Sequence, residues 1–551
     1  MSSLLKTRLS ENIRGVLRTS DLMRSSLLRV TTAAESAARD QAALRDGAAS
    51  FALMVQAGTV AAADMLRAFP ERLAHGVALY AGTGNNGGDA YIVAAQLARA
   101  GVVVRVHATA PPRSADALHA CAIASPYLVH GAPTGRELVA VDGVLGTGHR
   151  GSLRDGVIVA CAMLALASER GAQIVALDLP SGLDASSGDI AAGSVAAHRT
   201  LSFGTIKRGQ LIARSHVGVL QILDIGLRGA VALNDEAWCM ADDAVLTRAL
   251  PTIAWNAHKG TRGHLALVGG ADGMAGAVML AARAALRAGC GLAKVWVDHR
   301  GVASVQQAVP QAIAHDWPSD DVARAPWAHA LAIGPGLGRS RASFAVLLRA
   351  LRENAERPVV LDADALTLMT MYNVDGTLPT DAHDAATILR AVTSRAPHAV
   401  ITPHIGEFVA LAGVSPTMDW QTRSDVLCDF ARRANVTVLL KGTPTLIATP
   451  DGSPVTVMAR GNALLATGGS GDILTGIIGA LLAQGVSGHD AAMLGATAHG
   501  LAAEFAVTTS TTIRGLTLDA VLDALPAAWN EIARASALPP SVLASFPAPL
   551  Q

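Results

Sequence analysis

Residues 77–107 read VALYA, GTGNNGGD, AYIVAAQLARA, G, VVVRVH, and their order decides the architecture. Val77–Ala81 is a short apolar run of strand length, and Ala90–Ala100 carries the apolar spacing of a helix. Gly101 ends that helix, and Val102–His107 is a second run rich in β-branched residues. Strand, glycine-rich loop, helix, strand is the unit of an α/β layer, in which helices cover a parallel sheet. Working outward, strands are expected at Leu138–Val141, Ile174–Leu177 and Thr200–Phe203. The beat resumes at Leu265–Val268, Ala293–Val297, Ala330–Ile333, Val359–Leu361, Val400–Thr402, Val436–Leu440 and Leu446–Ala448. It breaks across Arg228–Asp243, so the chain is expected to divide into an extension over 1–30 and domains over 31–235 and 236–551.

Composition narrows the class. The chain has 551 residues, 51% hydrophobic and 16% charged, which describes compact globular domains. Lys plus Arg and Asp plus Glu both number 44, so the basic excess expected of a nucleic-acid or acidic-membrane partner is absent. No run approaches the roughly 18 to 20 apolar residues of a membrane span. Five cysteines, Cys121, Cys161, Cys239, Cys290 and Cys428, lie far apart, which argues for reduced thiols and against a zinc site. The first 30 residues carry Lys6, Arg8, Arg14, Arg18, Arg24 and Arg29 without the apolar core of a signal peptide. They read as a solvated extension, and the location is expected to be cytoplasmic.

Polar side chains gather after the strands of the first stretch. Gly82-Thr83-Gly84-Asn85-Asn86-Gly87-Gly88-Asp89 joins the first strand to its helix, where glycines admit a ligand and a helix N-terminus offers free N–H groups. Asp142 ends another strand before Gly146-Thr147-Gly148-His149-Arg150-Gly151-Ser152. Asp178 ends a third before Leu179-Pro180-Ser181-Gly182, and Lys207 follows Phe203. Taken singly, Asp142 and Asp178 serve equally well as helix caps, and Lys207 as a solvated lysine. Four such groups beyond the carboxyl ends of parallel strands favour a ligand site.

On these residues the segment resembles the NAD(P)H-hydrate epimerase family, whose NNGGD pattern is Asn85–Asp89 and whose Asp-x-Pro-Ser-Gly is Asp178–Gly182. The resemblance covers most of 31–235 and implies a Rossmann-like three-layer αβα sandwich. It implies a potassium ion on Asn86, Asp142 and Ser181. It implies dinucleotide contacts from Asn85, Asn86, Gly87, Gly88 and Asp89 and from Gly146, Thr147, Gly148, His149, Arg150, Gly151 and Ser152. Asp178 would contact the hydrated nicotinamide as the acid/base, with Lys207 as a supporting charge.

In the second stretch, Thr467-Gly468-Gly469-Ser470-Gly471-Asp472 runs into an apolar helix expected to begin near Ile473. The motif is no Walker loop; it is a glycine turn with N–H groups aimed at an anion and one carboxylate beside it. Such a pair can stabilise a transferring phosphoryl group while the carboxylate takes a hydroxyl proton. Asp472 as a simple helix N-cap is the competing reading. Lys441-Gly442-Thr443-Pro444-Thr445, Thr402-Pro403-His404-Ile405-Gly406-Glu407, Gly334-Pro335-Gly336-Leu337-Gly338 and Asp362-Ala363-Asp364 each follow a strand of their own.

Together with His258-Lys259-Gly260 and Gly276-Ala277, these motifs resemble the ADP-dependent NAD(P)H-hydrate dehydratase family over about 258–500. The resemblance implies a ribokinase-like αβα domain. Lys441, Gly442, Thr443, Pro444, Thr445 and Gly471 would hold the adenine nucleotide. Ala277, Gly338, His404 and Asp472 would surround the hydrated nicotinamide, with Asp472 catalytic. Magnesium would bridge the phosphates, with Glu407 as an indirect ligand. Ser470 stands where the family usually has Thr, and Ile405 where it has Pro. The implied whole is a two-domain enzyme, expected to be a homo-oligomer, whose partners are hydrated NADH and NADPH (NADHX and NADPHX) and ADP. It would equilibrate the R and S hydrates and dehydrate the S form with ADP. The rival is a ribokinase-type small-molecule kinase fused to a regulatory nucleotide-binding domain. A third reading makes the first domain a non-catalytic scaffold, against which the intact NNGGD loop and Asp178 cluster stand.

Overall fold

The computed structural model describes residues 28–227, 237–317, 327–372, 384–415, 417–508, 510, 512–534 and 541–543. The expected extension therefore lies outside the described residues up to residue 27, and the interdomain break does so over 228–236. Leu28–Thr31, the end of that extension, is a strand paired in parallel with Ile206–Lys207. The chain forms two compact units, one within residues 28–227 and including the short strand Ser541–Leu543, the other over 237–534.

The first unit is built on a sheet ordered Ser541–Leu543, Val219–Leu223, Arg199–Phe203, Gln173–Leu177, Val139–Gly143, Val77–Ala81, Val104–Ala108. All neighbours are parallel except the Ser541–Leu543 edge. Strand Val77–Ala81 shows how sequence makes layers. Val77, Leu79 and Ala81 enter one apolar core with the helices Ser50–Ala68 and Asn85–Arg99. Ala78 and Tyr80 face the other core with the helix Asp155–Glu169. That alternation is the period of two of a strand buried on both faces. The next strand in sequence, Val104–Ala108, lies on one side of Val77–Ala81 and the following one, Val139–Gly143, on the other. The crevice between them is where open parallel sheets place ligands.

The second unit has strands ordered Ile313–Asp316, Leu292–Val297, His264–Val268, Ala330–Ile333, Val359–Leu361, Val400–Ile401, Thr437–Leu440, Thr445–Ala448, Val455–Met458, Trp238–Met240. The first seven are parallel, and Thr445–Ala448 runs against both its neighbours. Helices Ala275–Arg287, Ser470–Ala483, Gly488–Thr508 and Leu518–Ala533 share one large core with these strands. Both units are thus α/β with mostly parallel sheets, as the sequence pattern predicts.

Two helices begin earlier than expected. Asn85–Arg99 starts on NNGGD itself, and Ser470–Ala483 on the third residue of GGSGD. Glycine disfavours helix through backbone entropy. Here close packing overrides that cost: a Cβ on Gly87 would lie 2.0 Å from Gly82 O, and one on Gly476 2.0 Å from Ala281 O.

Two candidate active sites

In the first unit, loop and strand ends knit Asn86, Asp142 and Ser181 together. Asn86 Nδ2 donates to Leu145 O at 2.8 Å, and Leu145 N donates to Ser181 Oγ at 2.9 Å. Asp142 accepts from Ser181 N at 2.7 Å, Ser181 Oγ at 2.5 Å and Val144 N at 3.2 Å. Burial raises the Asp142 carboxyl, and the hydrogen bonds from Ser181 and Val144 oppose that rise. Asn86 Oδ1 is buried without a hydrogen-bond partner. Such an orphaned acceptor costs free energy unless something meets it. The donor set, amide oxygen, carboxylate and hydroxyl, is one that suits a hard cation.

Asp178 is no helix cap. It holds the left-handed conformation at φ 62°, rare for a residue with a side chain and costing about 1–3 kcal/mol. Its neighbours enforce this. Asp178 N donates to Leu201 O at 2.8 Å, Gln210 Nε2 donates to Asp178 O at 2.6 Å, and Phe203 N donates to Asp178 Oδ1 at 3.2 Å. Lys207 also donates to Asp178 Oδ1, and Lys207 is 1% exposed, not a solvated lysine. Its ammonium further reaches Phe203 O at 2.9 Å and Ser202 Oγ at 3.3 Å. Asp89 joins the cluster: burial, then the carboxylates of Asp178 and Asp40, raise its carboxyl well above the usual range, against the pull of Lys207.

The remaining named residues of this unit are placed less tightly. Asn85 Oδ1 accepts from Ser114 Oγ at 2.8 Å. A Cβ on Gly146 would lie 3.4 Å from Asn86 Cβ, so that end of its loop touches the Asn86 cluster. Gly148 and Gly151 face open space, and Arg150, Gly151 and Ser152 are exposed. His149 Nε2 is buried without a partner.

In the second unit, Asp472 is not the helix cap either. Gly469, at φ 96°, is the N-cap, which puts Asp472 in the first helical turn. A Cβ on Gly471 would lie 3.2 Å from Lys441 Nζ and 3.5 Å from Asp362 Oδ2, so the missing side chain lets the lysine reach the helix N-terminus. Lys441 Nζ donates to Asp362 Oδ1 at 2.8 Å. Burial works against the charged lysine, but Asp362, Glu407 and Asp472 outweigh it and keep Lys441 protonated. The Asp472 carboxyl is pushed up to about 7, by burial first and then by Asp362 and Asp364, with Lys441 opposing.

The other motifs close around this pair. Asp364 accepts from Gly338 N at 2.9 Å and Arg339 Nε at 2.8 Å. Gly336, at φ 58°, would place a Cβ 3.1 Å from Ala277 Cβ. His404 does the structural work expected of a cap: Nδ1 accepts from Gly406 N at 3.0 Å and Glu407 N at 3.3 Å, while Glu407 Oε2 accepts from His404 N at 2.9 Å. It also pairs through a parallel bridge with Lys441, so the cap and the site coincide. Gly442, Thr443, Pro444 and Thr445 form the turn between Thr437–Leu440 and Thr445–Ala448, with Thr443–Pro444 cis. His258-Lys259-Gly260 is not brought to this edge: it precedes strand His264–Val268 and packs near Gly291, at the strands' amino ends.

Three features escaped the sequence reading. Asp40 lies in the electrostatic reach of Asp89, Asp178 and Lys207. Thr475 Oγ1 donates to Asp362 Oδ2 at 2.6 Å, and Ser470 Oγ lies 3.3 Å from His499 Nε2. Burial, then Lys441, lower His499 to about 4, so it is neutral near pH 7. Thr475 and His499 each stand in an apolar helical run, a signal that could have marked them.

Comparison with known proteins identifies the family of each unit. Residues 265–527 match the family described as NAD(P)H-hydrate dehydratase, and residues 50–209 the one described as YjeF-related protein N-terminus. The chain is 33% identical over 470 residues to the bifunctional NAD(P)H-hydrate repair enzyme Nnr of Escherichia coli K12, covering 83% of this chain and 85% of that one. It is 40% identical over 257 residues to the ADP-dependent (S)-NAD(P)H-hydrate dehydratase of Neisseria meningitidis, covering 46% of this chain and 79% of that one. Among solved structures, the ADP/ATP-dependent NAD(P)H-hydrate dehydratase of Bacillus subtilis, co-crystallized with ATP and Mg2+, is 29% identical. It covers 53% of this chain and 97% of that one, at a TM-score of 0.45.

Proposed function

This chain belongs to the family of bifunctional NAD(P)H-hydrate repair enzymes, and we propose how its residues divide that work. The protein interconverts the R and S hydrates of NADH and NADPH and dehydrates the S form with ADP. We assign epimerisation to residues 31–235 and dehydration to 236–551, with Ser541–Leu543 lent back to the first sheet.

The observation that carries the dehydration assignment is geometric: Lys441 Nζ reaches the N-terminus of the helix at Gly471, beside Asp472 in its first turn, and burial pushes the Asp472 carboxyl up to about 7. A base is most effective when its pKa lies near working pH. Asp472 takes the proton of the ring hydroxyl as that oxygen bonds to the terminal phosphorus of ADP, and AMP leaves. The phosphate ester then breaks at carbon, and the ring regains its double bond as a proton and phosphate depart. Lys441, Gly442, Thr443, Pro444, Thr445 and Gly471 hold the nucleotide. Ala277, Gly338, His404 and Asp472 hold the hydrated ring. Magnesium, when bound, would screen the charge of the phosphate oxygens, with Glu407 as its indirect ligand through water.

In the epimerisation site Asp178 is the acid/base, held in a strained turn and paired with Lys207. Asn85–Asp89 and Gly146–Ser152 hold the dinucleotide. The orphaned Asn86 Oδ1, with Asp142 and Ser181, fits potassium, which supplies positive field beside those loops. The five cysteines, none of them in a disulfide, support a reducing, cytoplasmic setting. Among the described residues no helix is long and apolar enough to cross a membrane. The homo-oligomeric state rests on the family resemblance and is read by sedimentation.

The test is one assay. Both NADH-hydrate epimers are incubated with the protein, ADP and magnesium, and reduced-nicotinamide absorbance is followed. Full recovery is expected. Recovery halting at one epimer, beyond spontaneous interconversion, would remove the epimerisation assignment. No recovery with ADP or ATP would remove the dehydration assignment.

A further inference from the structure

Asp362 is 1% exposed and its two oxygens face two different parts of the dehydration site. Oδ1 accepts from Lys441 Nζ at 2.8 Å, and Oδ2 accepts from Thr475 Oγ1 at 2.6 Å. Lys441 belongs to the loop assigned to the nucleotide. Thr475 stands one turn after Asp472 in Ser470–Ala483, with its hydroxyl also 3.0 Å from Gly471 O. The carboxylate is itself fixed. Asp362 N donates to Ile333 O at 3.1 Å, and its carbonyl accepts from Ala365 N at 3.1 Å. A Cβ on Gly334, at φ 130°, would fall 1.8 Å from Asp362 O, so this backbone has no room to move.

We propose that Asp362 is the positioning residue of the dehydration site, one carboxylate setting the nucleotide lysine and the Asp472 helix relative to each other. Its bonds to two segments distant from it in sequence make it a strut. A charged hydrogen-bond partner is stronger and more directional than a neutral one, so the lysine is held at a fixed height over Gly471. The same negative charge, with that of Asp364, faces Asp472 across the site, while Lys441 faces it with the opposite sign. Glu407 and His499 reach Lys441 from their own helices. Asp362 touches neither nucleotide nor hydrate in this reading, so it acts through Lys441 and Asp472 alone. The inference rests on the dehydration assignment above.

The experiment compares wild type, Asp362→Asn and Thr475→Val from pH 5.5 to 9.5, using the S hydrate of NADH, ADP and magnesium. Wild type must first recover reduced nicotinamide; if it does not, the dehydration assignment fails, and not this inference alone. Asp362→Asn keeps the shape and removes the charge. It is expected to raise KM for ADP at least tenfold and to move the acidic limb of kcat/KM to lower pH. Thr475→Val removes the hydroxyl's contacts with Asp362 and Gly471 and leaves the bond from Lys441 to Asp362 in place: kcat should fall with KM for ADP nearly unchanged, and Thr475→Ser should recover most of it. A merely structural Asp362 would cut the active fraction without shifting KM or the limb, and that result overturns the proposal. If Asp362→Asn does not fold, a Thr475→Val enzyme with unaltered kcat overturns it instead.

Discussion

Lys207 is buried at 1% exposure and donates its ammonium to Asp178, whose own backbone is held at φ 62°. The pair joins a charge that water cannot reach to a carboxylate that its backbone would not choose unaided. Buried pairs of this kind resist loss of either partner, because the remaining charge is left uncompensated.

Lys207→Ala should therefore destabilise the first unit by about 3–5 kcal/mol. Epimerisation should drop by about 100-fold or more, the scale of losing a tuned acid/base group. Dehydration of pure S hydrate should persist. Calorimetry resolves the stability change, and conversion of pure R hydrate in the presence of ADP reads epimerisation. A variant that epimerises at the wild-type rate would remove Lys207 from the site.

The potassium assignment predicts a salt-specific effect with no turnover in it. In KCl the first unit should melt higher than in tetramethylammonium chloride at equal ionic strength, by an amount that grows with concentration. A ligand at 100 times its Kd stabilises by about 2.7 kcal/mol. Asn86→Ala removes the orphaned amide oxygen and should make the two melting curves coincide. A cation preference surviving in Asn86→Ala would move the ion elsewhere.

Packing around the NNGGD turn predicts a sharp contrast between neighbouring glycines. A Cβ on Gly87 would sit 2.0 Å from the carbonyl oxygen of Gly82, a backbone atom that cannot swing aside. One on Gly84 meets nothing within 4 Å. Gly87→Ala should cost about 1–3 kcal/mol, the upper range of overpacking against a backbone atom, and Gly84→Ala less, about 0.5–1 kcal/mol, since alanine is a poorer N-cap than glycine. Urea denaturation of the two variants side by side decides the matter, and equal midpoints would contradict it.

Much of this was legible in the chain, for reasons that differ between elements. Val77–Ala81, Ala330–Ile333 and Val359–Leu361 lie at their expected bounds because each is a continuous apolar run between turn signals. Val219–Leu223 escaped notice because Gln221 interrupts it, and that amide is buried and accepts from Arg199. Ile313–Asp316 escaped because an edge strand can carry His315 and Asp316. The site residues were visible as polar groups after strands, yet their couplings were not. Lys207 is buried because Ile206–Lys207 pairs with Val30–Thr31, a contact across the length of the unit. Asp362 meets Thr475 for a similar reason: strand order, not spacing, brings them together. Pairings between distant segments depend on topology, which local patterns do not encode.

Asp472 ties stability and activity to the same proton. Its carboxyl titrates at about 7 in the folded protein against 3.8 for the free group, so burial disfavours the charged form. A raised carboxyl binds its proton more tightly folded than unfolded; its contribution is fully present below pH 4 and is lost as pH rises to about 7. Asp472→Asn lacks that titration, so it should gain stability relative to wild type as pH goes from 4 to 8. The gain should be on the order of 1–3 kcal/mol, less than the full shift implies because the residue is only partly buried. In wild type, kcat/KM for dehydration should rise about tenfold per pH unit below neutrality and level above it, as the base form fills. Asp472→Asn should abolish dehydration and leave epimerisation near wild type. Thermal melts of both proteins at pH 5 and pH 8, beside the rate profile, test the two halves together. A rate limb near pH 4 would show that Asp472 is not held near neutrality, and parallel melts at both pH values would say the same.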